Sequence, residues 1–379
     1  MKKPIYLDYN ATTPIDPEVA KEMIPFIESF YGNPSSSYSI GRSNKEAVEK
    51  ARARVARLIN CQPEEIYFTS CATESNNLAI KGIAWANSPK GRHIITSAIE
   101  HPAVTEVCKY LSPQGFEITY LPVNQYGRVD PKDVENAIRK DTVLITIMHA
   151  NNEVGTIQPI QEIGAIARHN KIAFHTDASQ SVGKIETDVD KLGVDLLTIA
   201  GHKLYAPKGI GVLYIRKGTQ IENLMHGGGQ EKGIRPGTEN VIHTVGLGKA
   251  CEVALRDFKK NQHNMQLSRD RLLDGLISQL GNKIHVNVNL ENCLPNTLSV
   301  AFEKVSAHAL ASFISSDVLI STGSACHSGE TTISSVLQAM NLDFRTAAAT
   351  VRISTGKSTT EEEIDFTIEV LVNAINKLT

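Results

Sequence analysis

The 379 residues carry a formal net charge of −2, with 41% hydrophobic and 21% charged residues, the balance of an ordinary soluble enzyme and not of a disordered chain. No long block of like charge occurs, so electrostatic capture of nucleic acid or of an anionic membrane surface is not expected. The length is too great for one simple core and fits two or three domains. Met1-Lys2-Lys3-Pro4 leads straight into Tyr6-Leu7-Asp8, with no signal-like apolar segment. No apolar run reaches the ~20 residues of a membrane helix. The six cysteines (Cys61, Cys71, Cys108, Cys251, Cys293, Cys326) show no C-x-x-C spacing, so no metal site is expected. A cytoplasmic chain with reduced thiols is the expectation.

In chain order, a first helix is expected from a capping box, Ser43-x-x-Glu46. Ala47, Val48, Ala51, Val55, Leu58 and Ile59 follow at helical spacing. Arg52, Arg54 and Arg57 fit its polar side. A strand is expected at Glu65–Thr69, and β-branched apolar runs recur at His93–Thr96, Val143–Met148, Ile172–Phe174, Leu196–Ile199 and Ile210–Ile215. Helical patterns lie between several of them, as at Leu78–Ala86 and Pro159–Arg168. This alternation predicts an α/β fold, a mostly parallel sheet flanked by helices. From Val241 to Leu280 the spacing is helical without proline, which predicts a helix bridging domains, either continuous or broken once. Strand candidates at Ile284–Val288, Leu298–Phe302 and Val351–Ser354, and a capped helix at Thr360-Glu361-Glu362-Glu363, read as a smaller α+β C-terminal domain. The expected division is a large domain over 15–255 and a small one made of 1–14 and 256–379.

Two apolar runs end on charge. Ile172-Ala173-Phe174 leads to Asp177, and Leu196-Leu197-Thr198-Ile199 leads to His202-Lys203. In a parallel sheet that edge is where ligands bind. A lysine there can hold an aldehyde as a Schiff base, and an aspartate can keep a pyridine nitrogen protonated, which points to pyridoxal 5'-phosphate. The phosphate needs an anion site. Ser70-Cys71-Ala72-Thr73-Glu74 follows one strand and opens a helix, so it is a candidate cradle, although an ordinary Ser/Thr-rich cap explains it equally well. His101, Asn151, Asn152 and Gln180 also fall just after strand candidates, so one sheet edge would gather them. Cys326 stands in a small, polar run, Gly323-Ser324-Ala325-Cys326-His327-Ser328-Gly329, suited to a thiol on a moving loop. The other five cysteines read as small core hydrophobes. Arg352 interrupts a strand and is either a carboxylate clamp or an edge-strand arginine facing solvent.

Taken together these segments resemble the NifS/IscS-type cysteine desulfurases, fold-type I pyridoxal phosphate enzymes related to class V aminotransferases. The resemblance spans essentially the whole chain. It rests on Tyr6-Leu7-Asp8-Tyr9-Asn10-Ala11-Thr12-Thr13, Gly32-Asn33-Pro34-Ser35-Ser36, Ala72-Thr73-Glu74-Ser75-Asn76-Asn77, Glu100-His101, Asn151-Asn152-Glu153, Asp177-Ala178-x-Gln180, Gly201-His202-Lys203, Arg235-x-Gly237-Thr238 and Gly323-Ser324-Ala325-Cys326. It implies that Lys203 binds the cofactor aldehyde, Asp177 pairs with the pyridinium nitrogen, Gln180 bonds the phenolic oxygen, and His101 stacks on the ring and assists proton transfer. Ala72, Thr73 and His202 would hold the phosphate, with Thr238 reaching it from the other subunit of a homodimer. Asn152 would border the cofactor and, with Arg352, grip the carboxylate of L-cysteine. Cys326 would take the substrate sulfur as a persulfide, leaving alanine, and pass it to an acceptor such as an iron–sulfur scaffold protein. Tyr38, Cys71 and Ala200 stand where the family commonly has histidine, glycine and serine. Losing the serine's phosphate bond would cost ~0.5–1.5 kcal/mol, so somewhat weaker cofactor retention is expected. A selenocysteine lyase, a silent scaffold and a generic aminotransferase are the alternative readings.

Overall fold

The computed structural model describes residues 3–379 apart from 323, 328 and 329, and gives the backbone but not the side chains of 324–327 and 330–332. Seven strands form the main sheet: β1 (Ile66–Thr69), β2 (His93–Ser97), β3 (Glu117–Leu121), β4 (Thr142–Thr146), β5 (Ala173–Asp177), β6 (Leu196–Ala200) and β7 (Gly211–Ile215). Their spatial order is β1-β7-β6-β5-β4-β2-β3. The ladders from β6 through to β3 are parallel, and β7 runs antiparallel to both β6 and β1.

Neighbouring residues along these strands serve opposite faces, as the two-residue pleat requires. Ile94, Leu144, Leu196 and Leu213 pack on one side with Leu78, Ile80 and Ile83 of the Ala72–Asn87 helix. Ile95, Ile145, Leu197 and Val212 pack on the other with Val48, Val55 and Val245, from the Ser39–Ile59 and Val241–Arg256 helices. Both faces are therefore covered, which is why these strands read as continuous apolar runs. A second core gathers Leu7, Leu272, Leu276, Leu298, Val300, Val351, Ile353 and Leu371. It lies on an antiparallel sheet ordered Ser321–Thr322, Thr350–Ser354, Thr297–Phe302, Ile284–Val286. Ile5–Tyr6 pairs in parallel with Val318–Leu319, which brings the first residues into this second region.

Most expected elements appear near their expected bounds, and the long helical stretch breaks once, at Asp257. Two local readings are corrected. A helix at Pro17–Glu28, not expected from the sequence, comes first; the helix expected at Ser43 begins at Ser39, a turn before the expected capping box, and no side chain caps it. Arg52 is not on a solvated face: it is 3% exposed, stacks 4.8 Å over the Phe68 ring, and pairs through two nitrogens with buried Glu231. Edge strand β3 has no counterpart in the sequence reading. Residues 324–327 and 330–333 pair as an antiparallel hairpin where the sequence reads as a loop.

Candidate active site

The C-terminal ends of the parallel strands surround a cavity of about 380 Å³. Asp177 is the last residue of β5, and Lys203 closes the single turn Gly201–Lys203 that follows β6. His101 begins the helix after β2, while Met148 and Asn152 follow β4. Cys71, Ala72 and Thr73 arrive from the end of β1. All of these line the cavity, together with Asn10, Gln180, Ala200, His202 and Arg352. Thus nine sequence candidates meet in one place: Ala72, Thr73, His101, Asn152, Asp177, Gln180, His202, Lys203 and Arg352. Thr238 is exposed and not part of this wall. The Cys326 side chain lies outside the described residues.

Asp177 is buried, and its carboxylate accepts bonds from the Asn76 amide (2.7 Å) and the Ser179 N–H (2.9 Å). Neither donor is a cation, and the carboxylate borders the cavity. The Lys203 amine donates to the carbonyls of Asn10 and Ala11 (the latter at 2.7 Å). Burial, then the nearby Arg352 charge, pull its pKa from the usual lysine range to about 8, against the opposing pull of Asp8 and Asp177. His101 Nδ1 accepts from the Ala103 N–H at 3.1 Å, so the neutral ring carries its proton on Nε2. Burial first, with Asp177 opposing and Lys203 assisting, lowers its pKa. Burial also lowers His202, to about 4, with Lys203 and Lys208 adding to the effect.

The helix Ala72–Asn87 opens without a side-chain cap on Cys71, leaving its first turn directed at the cavity. Gly211 permits this approach, because a Cβ there would lie 2.6 Å from the Cys71 carbonyl carbon. Arg352 sits on the middle of three strands, between Ser299 and Ser321. The edge-strand alternative is therefore excluded. Its guanidinium donates to the Asp8 carboxylate at 2.6 Å and to the Asn152 carbonyl at 2.9 Å, and its buried Nε has no partner among the described residues.

Several supporting residues were not singled out from the sequence. Asn76 orients Asp177. Asn10 serves both regions: its carbonyl accepts from Lys203 and Gln180, and its amide donates to Thr297 and the Asn152 carbonyl. Buried Glu100 joins two strand ends, accepting from Ser97 (2.6 Å) and the Met148 N–H (2.9 Å), and burial raises its pKa to about 8. Asn10, Asn76 and Glu100 do lie inside the quoted motifs, but nothing local in the chain reveals their partners. Among the cysteines, Cys108, Cys251 and Cys293 are buried, and burial raises the pKa of each, as it does for Cys61, to about 12. Cys71 departs from the core reading, since it lines the cavity.

Comparison with known proteins places this arrangement in a class. The class-V aminotransferase profile matches residues 5–366, and the chain belongs to that family. It is 48% identical over 379 residues to a protein named cysteine desulfurase IscS from Dictyoglomus turgidum, covering 100% of this chain and 96% of that one. It is also 48% identical to the protein of the same name from Methanosarcina thermophila, covering 99% and 93%. Among solved structures, a NifS-like protein superposes with a TM-score of 0.93 at 42% identity, covering 99% of this chain and 100% of that one. A structure titled SspA in complex with cysteine superposes at 0.82 with 39% identity, covering 95% and 100%. Among the described residues no helix is long and apolar enough to cross a membrane, and no cluster of metal-ligating side chains occurs.

Proposed function

We propose that this chain is a pyridoxal 5'-phosphate-dependent cysteine desulfurase, converting L-cysteine to L-alanine and taking the sulfur onto Cys326. The observation that carries the proposal is one cavity with the Lys203 amine and the Asp177 carboxylate on its floor and the Arg352 guanidinium on its wall. Full-length likeness to proteins named cysteine desulfurase supports it.

The residues fit the cofactor. A buried carboxylate bonded only to neutral donors calls for a cation in the cavity, and a pyridinium nitrogen supplies one. The uncapped helix start at Ala72 and Thr73, with His202 beside it, suits a phosphate. When bound, the cofactor supplies an electron sink that lets the substrate Cα lose its proton. Lys203 would hold the cofactor aldehyde and move that proton; a pKa near 8 leaves part of the amine population neutral at physiological pH. His101, fixed with its proton on Nε2, would stack on the ring and shuttle protons. Asn152 and Arg352 orient the substrate carboxylate, for which Asp8 already marks a carboxylate position on the guanidinium. The Cys326 thiolate then attacks the substrate sulfur. A sulfur–sulfur bond forms as the carbon–sulfur bond breaks, leaving a persulfide on Cys326 and, after proton uptake by carbon, alanine.

The same reading includes a homodimer in which exposed Thr238 reaches the partner's phosphate, a sulfur-acceptor protein such as an iron–sulfur scaffold, and a cytoplasmic setting. It also keeps the division into 15–255 against 1–14 with 256–379, supported by Leu7 packing in the second core. The test is incubation of the cofactor-loaded protein with L-cysteine. With a dithiol reductant added to release the outer persulfide sulfur as sulfide, alanine and sulfide in equal amounts are expected, and Lys203→Ala should lose both along with the visible absorbance of the bound cofactor. Absence of alanine from the loaded wild type would overturn the proposal.

A further inference from the structure

Behind the cavity floor lies a second lysine. Lys184 is 5% exposed and donates to the Gln180 side-chain carbonyl and the Asn10 side-chain carbonyl, both at 3.1 Å. Gln180 is 4% exposed and uses its amide nitrogen toward the Asn10 backbone carbonyl at 2.9 Å. In its charged form the Lys184 amine can only donate, so it fixes which end of the Gln180 amide is oxygen. The NH₂ end, with two hydrogens, then faces the Asn10 carbonyl side of the cavity, where the cofactor's phenolic oxygen would lie. The acceptors of Lys184 are both neutral amides. Burying an amine without a carboxylate is costly. Two positive groups, Lys203 and Arg352, act on it, and the Asp16–Lys357 pair lines the same small space behind it. Burial first, then those two charges, pull its pKa to about 7.

We infer that Lys184 is a positioning residue that acts through Gln180: it locks the amide so that its N–H is presented to the cofactor's phenolic oxygen and not its carbonyl. Lys184 does not itself line the cavity. The inference rests on the cofactor reading above. Removing Lys184 loosens that donor, which favours the protonated form of the bound chromophore, so its titration moves to higher pH.

The experiment is a pH titration of the visible absorbance of the cofactor-loaded protein, with cofactor affinity measured alongside by fluorescence. Lys184→Met should raise the absorbance midpoint by about 1 pH unit, equivalent to a tenfold change in proton affinity. In a Gln180→Ala background the same substitution should add no more than about 0.3 unit, because the two residues act as one. A midpoint within about 0.2 unit of wild type, or a full additional shift in the Gln180→Ala background, overturns the inference. Where the methionine variant does not fold, Lys184→Gln must move the midpoint in the same direction and with the same non-additivity. An unchanged midpoint in that variant also overturns it. A wild-type protein that takes up no chromophore at all would instead defeat the cofactor reading, so the two failures are distinguishable.

Discussion

Glu231→Ala removes one half of the Arg52–Glu231 pair, whose side chains are each 4% exposed. The Glu231 carboxylate accepts from both Arg52 terminal nitrogens at 2.8 Å and from the Phe68 N–H at 2.8 Å. Arg52 also donates to the Ile66 carbonyl at 2.7 Å. Burial opposes the Arg52 charge, yet the Glu231 bonds and charge outweigh it and leave the guanidinium more firmly protonated than usual. Half-exposed Glu49 keeps its contact with Arg52 Nε at 3.2 Å, but the two terminal nitrogens lose their carboxylate, and removing one partner of a buried pair costs about 3–5 kcal/mol. With a urea slope of about 3 kcal/mol/M, the first unfolding transition should fall by about 1–1.7 M. The double variant Arg52→Met with Glu231→Leu should recover most of that loss, because no charge is left stranded. Urea titrations of wild type and both variants, followed by circular dichroism, measure this. A fall below about 0.3 M in the single variant, or a double variant no better than the single, would show that the pair carries no such burden. The consequence reaches the site, since Phe68 precedes the Ala72 helix and Glu231 precedes Arg235 and Thr238.

Arg352→Met should raise KM for cysteine about 10–100-fold, the scale of one to two charged hydrogen bonds, with a smaller change in kcat; steady-state kinetics decide, and an unchanged KM removes the carboxylate role. Cys326→Ser should still show a spectral response to cysteine yet lose sulfide release by at least about a thousandfold, as when a reacting nucleophile is deleted. Mass spectrometry of the Cys326 peptide should find one added sulfur in wild type; normal turnover in the serine variant would discard the nucleophile. Burial pulls His149 down to about 4, and its Nδ1 has no partner among the described residues. The unfolded chain therefore binds more protons between about pH 4 and 6.5, so stability rises with pH across that window and the contribution is lost on acidification. His149→Gln should flatten the urea midpoint over that range; an unaltered slope would count against a buried neutral histidine.

The buried parallel strands were legible because each is covered on both sides and so reads as an unbroken apolar run. Edge strand β3 was not: its burial is patchy and Glu117-Ile118-Thr119-Tyr120 mixes polar and apolar residues. The capping box at Ser43 misled because the helix begins at Ser39 with no capping side chain at all. Arg52 sits at a spacing that suits solvent, and only residue 231, far along the chain, makes its burial tolerable. At the site, each strand end announced its charged or polar residue, so Asp177, Lys203 and His101 could be read one by one. The supports could not. Asn76 matters through Asp177, 101 positions away, and Asn10 and Lys184 meet across 174 positions.

Asp8 and Arg352 are separated by 344 positions, and the Asn10 N–H reaches the Ser354 hydroxyl across the same span. During synthesis Lys203 and Asp177 emerge well before the Arg352 guanidinium that completes the cavity wall. At about 5–20 residues per second, the wait from Lys203 to Arg352 lasts several seconds or more. The cavity wall is therefore closed only when the last strand, carrying Arg352, slides between its neighbours.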